Sequence, residues 1–221
     1  MEQQSQKPKF LVLGVLFLLP ITVYLFFASG VNNFGKLPVV TENVMEISSF
    51  KDLQGESVQL EDRITVLGFF GDNLLENKAY AYNLAHKIYK KNHQFEEFQF
   101  VILLPESARN QALILKSKIE EIAPTTAWKF AFGTSEEITQ VFNSLGTNLK
   151  LQNHNASPYV FIIDKDRNVR GRDDDDDAEN GILYGFDSSI IAEINNKMSD
   201  DVKVLLAEYR DARKDKPKRK I

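Results

Sequence analysis

The chain of 221 residues contains no cysteine. That absence excludes disulfides, thiolate zinc sites, iron–sulfur clusters and any cysteine nucleophile. It leaves the compartment open, because a disulfide-free protein can reside on either side of a membrane. Histidine is scarce, with three residues; His86 has no ligand-type side chain three or four positions away, and His93, near the end of its helix, reads like His86 as a surface or boundary residue. No serine stands in a Gly-x-Ser-x-Gly setting, so a nucleophile elbow is missing. One-signed charge is missing too: the net charge of -4 sets an acidic run, Asp173 to Asp177, against a basic tail, Arg213 to Lys220. Such a balance carries no nucleic-acid signal.

What is present is apolar enough to fold. Hydrophobic residues make up 43% and charged residues 26% of the chain, which fits one globular domain with appendages. The 16 phenylalanines fall mostly in apolar runs and read as core. From Phe10 to Ala28 the sequence carries no charge. As a helix this run reaches about 28 Å, close to one bilayer crossing. Lys7 and Lys9 precede it and only Lys36 follows closely, which leaves the N-terminus cytoplasmic and exports the rest. The competing reading is a cleaved signal peptide with Ala28–Gly30 as cleavage site, but the run exceeds the usual signal length. The expected organisation is a cytoplasmic N-terminus over 1–9, an anchor over 10–28, a polar tether over 29–45, a folded domain over 46–210 and a basic tail over 211–221 that could meet anionic lipid.

Within the folded part, alternation on either side of Gln54-Gly55 predicts a small hairpin. Ile64 to Phe70, "ITVLGFF", and Phe98 to Leu104, "FQFVILL", are continuous apolar runs suited to strands buried on both faces. Between them, Leu74, Ala81, Leu84, Ala85, Ile88 and Tyr89 recur at helical spacing, with Asp72 or Asn73 as the expected cap. Strand, helix and strand in this order predict a right-handed crossover in a parallel sheet. The pattern continues with the helix "RNQALILKSKIEEI", the strand "WKFAF", a helix capped at Thr134 or Ser135, the stretch "SPYVFIIDKDRNVRG" as a strand, a turn at Asp166 to Asn168 and the start of a second strand, and a last helix from about Ser188 to Tyr209. An α/β sandwich is the economical fold.

The strand "ITVLGFF", a helix starting directly after it, and "SPYVFIID" resemble the thioredoxin superfamily. Within it the chain is most similar to the Sco/SenC family of membrane-anchored copper chaperones for cytochrome oxidase. The likeness rests on the span and spacer "LFLLPITVYLFFASGVNNFGKLPVV", the hairpin "FKDLQGESVQLEDR", Trp128 ahead of a strand, and the "RG" of "DKDRNVRG", taken in order. It implies a thioredoxin-like sandwich with an N-terminal β-hairpin behind one transmembrane helix, on the periplasmic side. It also implies a cis-proline at Pro158 and a histidine before the last hairpin, for which His154 is the candidate. Where the family has a Cys-x-x-x-Cys pair, this chain has Asn73 and Asn77 in the turn that begins Gly71-Asp72.

An amide oxygen is a poor substitute for the soft ligands copper(I) selects, so copper loading of the family kind is not expected, and disulfide exchange is chemically impossible. The expectation is therefore a noncatalytic binding or assembly factor without a cofactor. Its partners would be the membrane and respiratory oxidase subunits or copper-delivery proteins. The rival is a hard-metal carrier or thiol-independent enzyme built on His154 with Asp72, Glu76 or the aspartate run. The run Asp173, Asp174, Asp175, Asp176 and Asp177 is a further, weak metal candidate; its spacing does not match an EF-hand loop, and it reads as a solvated insertion.

Overall fold

The computed structural model describes residues 7–29 and 36–214, with side chains over 12–26 and 36–212. The chain divides into two units, Met1–Gly35 and Lys36–Ile221. Residues 1–6 of the expected cytoplasmic segment, 30–35 of the tether and 215–221 of the basic tail lie outside the described residues.

The first unit holds helix α1 (Lys7–Ser29), with Pro20 inside it. Its large apolar side chains from Val12 to Phe26 are exposed. Among the described residues no helix is long and apolar enough to cross a membrane. The part of α1 with described side chains covers only about 22 Å at 1.5 Å per residue. The crossing expected over 10–28 thus stays an expectation.

The second unit is a sheet with helices on both faces. Strands β1 (Val39–Thr41), β2 (Ile64–Phe70), β3 (Phe98–Pro105), β4 (Trp128–Gly133), β5 (Ala156–Ile163) and β6 (Val169–Arg170) lie in the order β1-β6-β5-β2-β3-β4, and β7 (Phe186–Asp187) pairs with β5. β2, β3 and β4 are parallel; β5 runs antiparallel to β2. Every residue of β2 is buried, as an apolar run in a central strand demands. Its side chains alternate between two cores. Val66 and Phe70 join Phe100, Trp128 and Phe130 under the helices that include Ala81, Leu115 and Leu205. Leu67 and Phe69 join Val101, Phe161 and Phe142 on the other face, with Val44, Ile47 and Phe50 from the N-terminal segment.

Several expectations are corrected. The segment read as tether enters the fold by Lys36: Leu37 and Val44 are buried, and β1 pairs with β6. Polar residues around it masked a short strand whose edge position needs few apolar side chains. The hairpin at Gln54-Gly55 shrinks to a bridge between Lys51 and Ser57, with Gly55 at φ 85°. Asp52 takes over its ordering, accepting the Gln54 and Glu56 amides at 2.9 Å each. The helix after β2 begins later than expected. Asn73 to Asn77 form a turn closed by the Glu76 and Asn77 amides on the Asn73 carbonyl, and helix α2 (Lys78–Leu84) follows with Asn77 at its N-cap. Neither Asp72 nor Asn73 caps it, because Asp72 is engaged elsewhere. A π turn (Ala85–Tyr89) and α3 (Lys90–Asn92) complete that segment.

Helix α4 (Arg109–Glu120) and helix α5 (Ser135–Ser144) fall where the periodicity places them. Thr134 and Glu137 form the capping box of α5, each side chain meeting the other's backbone amide. The last helical segment starts at α6 (Ile191–Glu193), passes a π turn (Ile194–Met198) and ends in α7 (Ser199–Lys214).

A buried ionic network ties this end to the sheet. Arg170, 5% exposed, donates to the Leu37 carbonyl at 2.8 Å, to Asp164 at 3.1 Å and to Glu208 at 2.7 Å. Gly171 follows because nothing larger fits: a Cβ there would lie 2.2 Å from the Leu183 carbonyl oxygen.

The aspartate run is held, not loose. Asp175 is buried, with Lys197 at 2.6 Å and Arg172 at 3.6 Å, and Asp177 meets Lys197 at 2.9 Å. Burial alone would raise the Asp175 carboxyl; the Lys197 ammonium and the Asp177 amide outweigh it and hold the group below its ordinary range. Asp173, Asp174, Asp176 and Asp177 remain exposed.

Glu193 is the opposite case. Burial pushes its carboxyl up, the Asp187 amide bond opposes this, and the Asp187 charge adds to the rise. A carboxyl whose folded pKa is raised binds its proton more readily in the folded chain, so stability falls as pH climbs from the unfolded value toward the folded one. Glu193→Gln keeps an oxygen for the Asp187 amide. It is expected to melt higher than the parent at pH 7, with the gap closing as pH is lowered through about 4.3, the ordinary glutamate range. Melting curves across pH check this; a gap that widens toward acid would contradict it.

Candidate functional site

At the C-terminal end of β2 the chain turns through Gly71 at φ 72°. A Cβ at this position would meet the His154 carbonyl oxygen at 2.7 Å and the Ala156 Cβ at 2.9 Å. Glycine therefore lets the turn after β2 approach the loop before β5. Across that approach the His154 Nδ1–H donates to Asp72 Oδ2 at 3.0 Å. The turn and the loop, read separately in the sequence, are thus brought together.

The turn is braced from below by a residue that no sequence pattern marked. Gln111 of α4 donates through Nε2 to the Asp72 carbonyl at 2.7 Å and accepts the Leu75 amide through Oε1 at 3.0 Å. Asn77 donates its side-chain amide to the Phe70 carbonyl at 3.0 Å, while Asn73 is exposed. Only its place on α4 could have flagged Gln111, because a lone glutamine has no distinctive spacing.

The loop side is conformationally demanding. His154 and Asn155 both take left-handed backbone, at φ 62° and 59°. Histidine and asparagine tolerate that region better than most residues, yet each such position costs on the order of 1–3 kcal/mol when strained. Asn155 is held by bonds to the Ser135 carbonyl at 3.2 Å and the Thr139 hydroxyl at 3.3 Å.

Pro158 is not a cis-proline: no peptide bond among the described residues is cis. It lies in a register irregularity of β5, where Gly68 faces Val160 but Phe70 faces Ala156. A residue without an N–H is suited to such a bulge, because no ladder bond is asked of it. Its carbonyl accepts the Ser188 amide at 2.9 Å and hydroxyl at 2.6 Å.

Chemically, the site presents an exposed imidazole on a partly buried carboxylate. His154 is 64% and Asp72 32% exposed in their side chains, and Asp72 Oδ1 is buried with no hydrogen-bond partner among the described residues. The donor set does not fit copper(I), which needs soft ligands. There is no thiol, Met198 is buried in the core under α7, and Met45 lies in the segment before β2. Among the described residues no three histidine, aspartate or glutamate side chains gather as a metal-ligand group.

The chain matches no family model and no curated protein. Solved structures do resemble it. A candidate protein disulfide isomerase from Bacteroides thetaiotaomicron aligns over 80% of this chain and 98% of its own at 10% identity, with a TM-score of 0.53. The fold is thioredoxin-like. A candidate electron transfer protein from Aquifex aeolicus VF5 covers 77% of this chain and 98% of its own at 11% identity, with a TM-score of 0.50. Copper-bound ScoI of Arabidopsis thaliana is among the structural neighbours, at 13% identity over 72% of this chain and 97% of its own, with a TM-score of 0.46. At such identities the likeness is one of fold. In this thioredoxin-like frame Gly71, Asp72, Asn73 and Asn77 occupy the turn after the central strand, and His154 reaches it from the neighbouring loop.

Proposed function

We propose that the chain is a Sco-like, membrane-anchored binding or assembly factor that docks a partner through the Gly71–Asn77 turn and the 154–158 loop, without thiol or copper(I) chemistry. The observation that carries this reading is the clamped turn. A thioredoxin-like scaffold without a cysteine still fixes its turn with Gln111 and with the Asp72–His154 bond, leaving the exposed His154 ring with Nε2 uncommitted for a partner. The link to respiratory oxidase biogenesis and copper-delivery proteins comes from the sequence resemblance to the Sco/SenC family. The uncharged run over 10–28, helical within α1, supports an anchor with the folded unit on the exported side.

The test is crosslinking in intact membranes from a tagged strain, with mass spectrometry and metal analysis of the same purified sample. Oxidase subunits or copper-delivery proteins with no bound metal are the expected result. Stoichiometric metal without respiratory partners would instead favour a carrier built on His154 and carboxylates, and recovery of the chain in the soluble fraction would remove the anchor. His154→Ala is expected to cut the crosslinked yield at least fivefold. Its effect on stability should stay within about 2 kcal/mol, since the exposed imidazole contributes little itself while alanine at φ 62° and the loss of the donor to Asp72 add a modest cost. Unchanged crosslinking in that variant would move the docking surface elsewhere.

A further inference from the structure

The far end of the sheet holds a second concavity. β2 runs seven residues from Ile64 to Phe70, which separates its two ends by about 20 Å at ~3.3 Å per residue. Around its N-terminal end, and those of β3 and β4, lies a cavity of ≈ 380 Å³ whose lining includes Arg63, His93, Gln99, Thr126 and Lys129. Glu96 is its one carboxylate.

Three features of this lining point to a ligand. The exposed Arg63 and the partly buried Lys129 have no carboxylate partner among the described residues, whereas Lys165, Arg170 and Arg172 are each paired. Arg63 is nevertheless positioned, with Nη1 donating to the Glu96 carbonyl at 2.9 Å. His93 lies over the Tyr89 ring and uses Nδ1 on the Lys90 carbonyl at 3.1 Å, leaving Nε2 uncommitted. Finally, Gln99 is 6% exposed and spends Nε2 on the Gln59 carbonyl at 2.7 Å and the Thr65 hydroxyl at 3.0 Å. Its Oε1 accepts no bond among the described residues. That oxygen is open to solvent, unlike the buried Asp72 Oδ1 and Trp128 Nε1, and so is free to accept a bond from a ligand's donor.

We infer that this cavity binds a small oxyanion, a phosphate or a carboxylate, that also carries a hydroxyl or amine. The anionic oxygens meet Arg63 and Lys129, where charge-assisted bonds are strongest, and the donor reaches Gln99 Oε1. Phe95 and Phe98 supply an apolar wall. This site is separate from the docking surface and stands whether or not that surface is used.

Calorimetric titration of the full chain in nanodiscs of zwitterionic lipid, which keeps anionic headgroups out, tests it with glycerol 3-phosphate, glycerate and inorganic phosphate as probes. One of the two hydroxyl-bearing probes is expected to saturate at one per chain and to bind at least tenfold more tightly than inorganic phosphate. Which of the two does so distinguishes the phosphate from the carboxylate class. Lys129→Ala and Arg63→Ala should each weaken that binding at least tenfold at an unchanged melting temperature, and Arg63→Lys should retain most of it. No saturable binding of either probe, affinity equal to that of inorganic phosphate, or binding unaltered in both alanine variants would overturn the assignment.

Discussion

Replacing Arg170 by methionine is expected to remove about 3–5 kcal/mol of stability, the usual cost of taking one partner from a buried ion pair. The reason lies in what is left behind. Asp164 is 2% exposed and keeps its bonds from the Asp166 and Asn168 amides, but its charge loses the guanidinium at 3.1 Å. Glu208 and the Leu37 carbonyl lose donors in the same step. If the orphaned charge is the main cost, Arg170→Met combined with Asp164→Asn should recover part of the loss, since asparagine still accepts the two amides. Urea denaturation followed by circular dichroism reads both. A single-variant loss below 1 kcal/mol would mean that the network contributes little beyond packing.

The second large effect is expected at Phe100. Truncating a fully buried aromatic side chain to alanine costs about 3–5 kcal/mol, from lost transfer energy and from the cavity that remains. Phe100 is 0% exposed and stacks on Trp128 with ring centroids 4.7 Å apart, while Tyr89 meets it edge-on at 5.3 Å. Trp128 is the chain's one tryptophan, so the same variant reports on itself. Phe100→Ala should shift the folded-state tryptophan emission as well as the denaturation midpoint, and Phe100→Leu should do both less. A midpoint change without any change in emission would argue that the damage lies away from the stack.

The central sheet was legible because its signal is strong. Continuous apolar runs such as Ile64 to Phe70 have one stable destination, a strand covered on both faces, and Thr134 with Glu137 announces a helix start by chemistry that few other contexts use. The edge strand β1 was not legible: at three residues it is too short for alternation to register, whereas the start of β6 was marked by the turn at Asp166 to Asn168. The start of α2 was misplaced because Asp72 and Asn73 are good capping residues by type, whereas Asp72 is claimed by His154, 82 positions away in sequence. At the site, the sequence supplied the turn and the loop; it could not supply Gln111, nor the trans geometry of Pro158, which depends on a bulge visible only once β5 is paired. The aspartate run misled in the same way, since the cations that hold Asp175 come from Arg172 beside it and Lys197 far along the chain.

That last arrangement bears on how the protein opens. Arg170 reaches Glu208, Arg172 grips Asp201 with two bonds of 2.9 Å, and Lys197 closes on Asp175, whose own amide is bonded to the Gly181 carbonyl at 2.9 Å. The insertion and the C-terminal helix are therefore laced into one cooperative unit, and neither can fray without loosening the other. In native-state hydrogen exchange the amides of Asp175 and Gly181, though close to the surface, should exchange at the pace of those in α7.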